Sequence, residues 1–280
     1  MVLILNKDNL EKMQSGNHLQ LKLTPVVIPY FREPEALSRC LAAVAAQENI
    51  TTEVFVRDNS TDNILFTKAI NEGLRKFAYR PDVDAVLILN QDAYLEPNCL
   101  QYLLGVMNQN PKAGIVIPVA INANKQATSF AALAAYPWGV SRGGELKDVP
   151  TTTYGTYWAN GACMLLRSSM IREIGLFDEN MRFICSDADY SFTARSRGWE
   201  VLVSPNALVE HSLNSSGQNT NFWLEEIKLS DQLYFAQKWL SGDLYRALAF
   251  EGATLTEQLI HEEIGKTAAQ LKLVRQHLGS

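Results

Sequence analysis

AVLILNQD at residues 85–92 and EVFVRDNS at residues 53–60 follow one pattern, a short apolar run that breaks abruptly into Asn and Asp. Runs of four or five apolar residues with no polar face read as strands covered on both sides, the kind found in parallel sheets flanked by helices. Outward from these two, Thr24 to Tyr30 (TPVVIPY) reads as an earlier strand and Gly114 to Val119 (GIVIPV) as a later one. Between them the spacing predicts helices over Leu37 to Gln47, with Pro34 in the first turn, over Ala69 to Ala78, and over Pro97 to Asn108. The alternation predicts an α/β fold with a mostly parallel central sheet and helices on both faces.

After Val119 the pattern changes. Residues 120–157 are loop-rich, with Pro137, Gly143, Gly144 and Pro150, and a long irregular stretch in a compact domain is usually functional or mobile. Gly161 to Arg167 reads as a strand, Ser169 to Ile174 as a short helix and Asp187 to Arg197 as a helix. Glu200 to Val203 and Ala207 to Val209 read as short extended pieces. From Asn221 onward the character is helical, and Ile260, Ile264, Ala268, Leu271, Val274 and Leu278 mark one apolar helix face. Packing on the main body is the simplest use of that face; a partner or a membrane is the alternative, although the basic flanks of a membrane-surface helix are missing. The expected division is a polar segment over 1–20 with a short helix near Asp8 to Met13, a main domain over 21–215 and a C-terminal helical extension over 216–280.

A chain of 280 residues can bury a large core. Its net charge of −5 excludes broad electrostatic attraction to nucleic acid or to an anionic membrane, so an anionic ligand must be held by local devices. Cys40, Cys99, Cys163 and Cys185 show no metal-type spacing and read as small core side chains in a reduced, cytoplasmic setting. The run Val2 to Leu5 is too short for a signal segment, and no stretch approaches the ~20 apolar residues of a membrane span. Membrane association, if any, is expected to be peripheral, at the inner face.

In an open parallel sheet, ligands bind beyond the carboxyl ends of the strands, so Asp58 and Asp92 are expected to face one crevice. Asp and Asn are also common turn formers after strands, which explains either acid alone more readily than both on neighbouring strands.

The ordered set of motifs is more specific. VVIPY and a helix ending in Gln47 are followed by Val56-Arg57-Asp58-Asn59-Ser60-Thr61-Asp62, Asn63-Ile64-Leu65-Phe66, Asn71-Glu72-Gly73-Leu74 and Leu89-Asn90-Gln91-Asp92. Then come Gly161-Ala162-Cys163-Met164-Leu165, Gly175-Leu176-Phe177-Asp178-Glu179, Ser186-Asp187-Ala188-Asp189, Arg195 and Val209-Glu210-His211. Over about residues 22–215 this series resembles the inverting family 2 glycosyltransferases of GT-A fold, in particular bacterial enzymes that build rhamnose-containing surface polysaccharides.

The resemblance implies a nucleotide-diphosphate sugar as donor and a glycan or lipid-linked saccharide as acceptor, with no nucleic acid partner. It implies that Asp58 meets the nucleobase beside the main chain of Pro29 and Tyr30, with Asn71, Asn90 and Gln91 also on the donor side. Asp92 and His211 are implied as ligands of a divalent cation, Mn²⁺ or Mg²⁺, and Asp187 as the general base. Such a cation neutralises charge on a departing diphosphate, while a carboxylate takes the proton of the attacking hydroxyl. Asp187 opens a predicted helix, whose dipole is expected to favour the ionised carboxylate. Asp189 is expected to pair with Arg195 or Arg197. Trp158 offers a stacking face to an acceptor sugar, though tryptophan is ordinarily a core anchor. Two positions depart from the family pattern: Ser186 stands where the glutamate before the base is usual, on the acceptor side, and Leu65 replaces the glycine of the first Asn-x-Gly segment. Two other activities compete: a nucleotidyltransferase, disfavoured because Pro29 to Pro34 is not a glycine-rich phosphate loop, and a non-catalytic sugar-nucleotide-binding protein, favoured by Ser186.

Overall fold

Strict alternation of apolar side chains builds the sheet. In β2 (Leu23–Tyr30), Val26 and Ile28 point into one core and Val27 into the other; in β4 (Ala85–Leu89), Leu87 and Leu89 oppose Val86 and Ile88 in the same way. The computed structural model describes residues 2–5, 23–133, 140–211, 221–239 and 257–279. The helix expected near Asp8 to Met13 lies outside these.

The remaining elements are β1 (Val2–Leu5), α1 (Pro34–Ala45), β3 (Thr51–Asp58), α2 (Leu65–Phe77), β5 (Ala93–Leu95), α3 (Cys99–Gln109), β6 (Ala113–Ile121), β7 (Ala127–Leu133) and β8 (Val140–Gly144). After a short 3₁₀ turn at Leu146–Asp148 come β9 (Tyr154–Gly155), β10 (Cys163–Arg167), α4 (Ser168–Ile174), α5 (Ser186–Ser196), β11 (Glu200–His211), α6 (Phe222–Trp239) and α7 (Glu257–Leu278).

The sheet runs in the order β1-β3-β2-β4-β10-β6-β11-β5. Strands β3, β2, β4, β6 and β11 point the same way, and β10 is the reversed strand between β4 and β6. Helices α1 and α3 cover one face through Cys40, Val44, Cys99, Leu100, Leu103 and Met107. Helices α2, α4 and α5 cover the other through Ile70, Leu74, Phe77, Met170, Ile171 and Tyr190. A third cluster joins Tyr157, Met181, Ala188 and Phe192 to Phe235 and Trp239 of α6.

Several expectations are corrected. Val2 to Leu5 is a strand, added antiparallel to β3 at the sheet edge. The stretch after Val119 holds more strand than expected: β7 pairs with β6 and with β8. The two short pieces after Glu200 are one strand, β11, interrupted in register between Ser204 and Leu208, where Pro205 withholds a backbone donor. Helix α2 begins at Leu65, four residues before the predicted start.

Candidate active site

The carboxyl ends of β2, β3 and β4 meet as the topology requires, and local hydrogen bonds tie their loops together. Asn59 N–H donates to the Tyr30 carbonyl at 2.8 Å, and Arg32 reaches the Ser60 carbonyl from Nη2 at 3.1 Å. The Gln91 side chain grips the main chain of Phe31 from both sides: Oε1 accepts from Phe31 N–H at 2.6 Å and Nε2 donates to its carbonyl at 3.2 Å. Asn90 N–H donates to the Ala162 carbonyl at 2.8 Å. Pro29 and Tyr30 lie opposite Arg57 and Asp58 in register. Asp58 is exposed, and Ser60, whose N–H donates to Oδ1 at 2.8 Å, holds its carboxyl below the usual aspartate range.

Asp92 and His211 come together. Strand β11 pairs antiparallel with β5, setting His211 opposite Ala93, and His211 Nε2 lies 3.5 Å from Asp92 Oδ1. Two ligands held about 2.1 Å from one ion stand ~3.0 Å apart at an octahedral edge and ~3.4 Å apart at a tetrahedral one. The observed separation therefore fits a shared divalent cation. Nδ1 of His211 is buried without a hydrogen-bond partner, so no neighbouring acceptor fixes the ring's tautomer. Among the described residues no cluster of three His, Cys, Asp or Glu forms a fuller set. An ion here would need oxygens from substrate and water to complete its shell.

Asp187 stands in the first turn of α5, half-buried. Its Oδ2 accepts from Gly161 N–H and its Oδ1 from Ala188 N–H, each at 2.8 Å. Burial pushes its carboxyl above the usual aspartate range, against the pull of those N–H groups. The N–H groups at the helix start favour the carboxylate form, and burial opposes them. The approach at Gly161 is close: a Cβ there would fall 3.3 Å from Asp187 Oδ2 and 3.3 Å from Phe66.

Other predicted residues are used differently. The Asn71 side chain is buried, donating to the Phe177 carbonyl at 2.9 Å and to Glu179 Oε1 at 3.0 Å while accepting from Phe177 N–H at 3.1 Å. It clamps the Gly175 to Glu179 turn rather than presenting its amide to the crevice. Ser186 is 1% exposed and does not face solvent. Trp158 is partly buried against the third cluster, with its Nε1 enclosed and unpaired. Asp189 pairs with neither Arg195 nor Arg197. It receives Lys238 Nζ at 2.8 Å and Trp239 Nε1 at 2.8 Å, while Arg195 donates to the Tyr157 carbonyl.

Sequence reasoning missed the contribution of α6. Asp231, fully buried, accepts from Phe183 N–H at 2.7 Å and Ile184 N–H at 3.1 Å. An acid in the apolar stripe Ile227, Asp231, Phe235, Trp239 was the available signal, because a charge on a buried helix face must have a partner.

A sheet whose central parallel strands β3, β2, β4, β6 and β11 are interrupted by the reversed β10, with an acid and a histidine at its carboxyl edge, defines the GT-A class of glycosyltransferases. The solved structure of GalNAc-T7 with UDP, GalNAc and Mn²⁺ superposes with a TM-score of 0.55 at 13% identity, covering 89% of this chain and 58% of that one. S. aureus TarS residues 1–349 superposes with a TM-score of 0.51 at 14% identity, covering 81% and 69%. At these identities the likeness concerns the fold. The family model for glycosyltransferase-like family 2 matches residues 66–228, more than half of the chain, and the protein belongs to that family. It is 23% identical, over a 300-residue alignment spanning 89% of this chain and 97% of the relative, to N-acetylglucosaminyl-diphospho-decaprenol L-rhamnosyltransferase of Mycobacterium tuberculosis.

Proposed function

We propose that this glycosyltransferase is inverting and metal-assisted, and that it moves a deoxyhexose from a nucleoside-diphosphate donor to a hydroxyl of a lipid-linked saccharide in surface polysaccharide synthesis. The observation that carries the reading is the 3.5 Å approach of His211 Nε2 to Asp92 Oδ1 at the carboxyl edge of the sheet. A divalent cation bound there would supply charge neutralisation for the departing diphosphate. Asp58 and the main chain at Pro29 and Tyr30 would border the nucleobase. Asp187, with its proton affinity raised by burial, would accept the proton of the acceptor hydroxyl on the opposite side of the sugar, so that attack inverts the anomeric centre. Trp158 would line the acceptor side. The mycobacterial relative, named for transfer of L-rhamnose to N-acetylglucosaminyl-diphospho-decaprenol, supports a lipid-linked acceptor. Among the described residues no helix is long and apolar enough to cross a membrane.

The test is calorimetric binding of dTDP and UDP with and without Mn²⁺, followed by transfer assays with dTDP-L-rhamnose and a polyprenyl-diphospho-N-acetylglucosamine acceptor. Asp92→Ala and His211→Ala should each lose the Mn²⁺-dependent part of binding, and Asp187→Asn should keep it while losing transfer. Mn²⁺-dependent binding undiminished in both Asp92→Ala and His211→Ala would sink the metal assignment.

A further inference from the structure

The third core cluster and its ion pairs link the C-terminal helices to the segment that carries Asp187. Helix α6 holds residues 178–189 at three points. Asp231 takes the N–H groups of Phe183 and Ile184. Lys238 Nζ bridges Asp178 Oδ2 at 2.9 Å and Asp189 Oδ1 at 2.8 Å, two residues either side of this turn and helix start. Trp239 Nε1 donates to the same Asp189 at 2.8 Å. Helix α7 adds a further tie, since Arg275 Nη2 donates to Glu226 Oε1 at 2.8 Å and Glu226 also meets Arg182 at 3.4 Å.

Between the two anchor points the backbone is strained. Cys185 has φ +64°, a left-handed conformation unfavourable for a non-glycine residue. That turn precedes α5 directly and aims the Asp187 carboxylate at Gly161 N–H. A strained turn keeps its geometry only where its surroundings over-determine it, and here Phe235 and Trp239 of α6 are part of the cluster against which Cys185 packs.

We infer that Asp231 and Lys238 of α6 are positioning residues for Asp187, so that the C-terminal helices form part of the catalytic apparatus. The inference rests on Asp187 as the base. Asp231 acts on the main chain just before the Cys185 turn, and Lys238 on Asp178 and on Asp189 of α5. A misplacement of about 1 Å at a reacting group can cost ~10²-fold in rate.

The experiment compares Asp231→Ala, Asp231→Asn and Lys238→Met in the full-length chain. Hydrogen exchange is read at the Gly161 amide, far from α6 in sequence and bonded to Asp187 Oδ2. Exchange there should accelerate at least about tenfold in Asp231→Ala and Lys238→Met, since exchange follows local opening. With dTDP-L-rhamnose as donor, kcat should fall ~10–100-fold while donor KM and Mn²⁺-dependent dTDP binding stay within about threefold of wild type. Asp231→Asn keeps an oxygen for both N–H groups and should restore exchange and kcat to within about threefold. Faster exchange confined to Phe183 and Ile184, with Gly161 unchanged, would overturn the inference. Parallel losses of melting temperature and dTDP binding would do the same. The base assignment fails separately, if Asp187→Asn retains transfer; exchange at Gly161 still decides whether α6 orients the carboxylate.

Discussion

At Asp187 two effects oppose each other, and their order has a consequence for pH. Burial raises the carboxyl's proton affinity, and the N–H groups of Gly161 and Ala188 lower it by less. A base at Asp187 would be active only when ionised, so on the proposed reading transfer should rise with pH as Asp187 loses its proton. Because the folded value is raised, the midpoint of that rise should lie above the ~3.9 of a free aspartate. A profile of kcat/KM against pH checks this; an acid limb at or below the free value would show that the hydrogen bonds prevail. Leu65 presents a second local balance. It stands where the family pattern has glycine and adopts φ +66°, while its side chain is only 8% exposed. The left-handed backbone costs about 1–2 kcal/mol, and burying a leucine returns ~1.5–3 kcal/mol. Both Leu65→Ala and Leu65→Gly should therefore destabilise. Glycine, free of the backbone penalty, should be the milder by about 0.5–1 kcal/mol after its greater unfolded-state entropy is counted. Urea midpoints of the two variants decide it. If alanine is the milder, the left-handed turn is not present in solution.

Among the elements, α2 shows how closely helix and sheet approach. A Cβ at Gly73 would fall 2.4 Å from Val27 Cγ1, so the glycine is there for proximity. Alanine is intrinsically better in a helix by ~0.5–1 kcal/mol, but overpacking costs about 1–3 kcal/mol. Gly73→Ala should therefore lower the melting temperature by a few degrees in a thermal scan; a rise would mean that α2 moves away from β2 without cost. Strands β2, β3, β4 and β6 were legible because runs such as AVLIL have no polar face to offer a surface. Strands β7 and β8 were not, because ATSFAAL and VSRGG hold no continuous apolar run and mix small and polar residues, and local sequence then resembles a loop. The reversed direction of β10 was also illegible. CMLLR reads as a buried strand whichever way it runs, and only its pairing between β4 and β6 sets the sense.

For the molecule as a whole, α6 contributes buried Ile227, Leu229, Asp231, Phe235, Ala236 and Trp239 to the same body as the sheet. A chain ending at residue 221 would expose Tyr157, Met181 and Phe192 and strip Asp189 of Lys238 and Trp239. Each large apolar side chain left in water forfeits ~1.5–3 kcal/mol. The truncated chain should therefore lose cooperative thermal unfolding, as followed by near-ultraviolet circular dichroism. A cooperative transition at the full-length temperature would show that 21–215 folds without its extension.

The order of motifs along the chain determined the α/β architecture, the carboxyl-edge location of Asp58 and Asp92, and the short set of acids and one histidine from which a site could be chosen. Apolar runs and strand-end acids are local features, and local features survive in one dimension. Tertiary structure alone decided that Asn71 and Gln91 spend their amides largely on backbone groups, that Asp189 answers to Lys238 rather than to a nearby arginine, and that burial opposes the N–H groups of the helix start at Asp187. Each of these depends on distances between segments far apart in the chain. Hydrogen bonding and desolvation act over a few ångströms of space, whatever the separation in sequence.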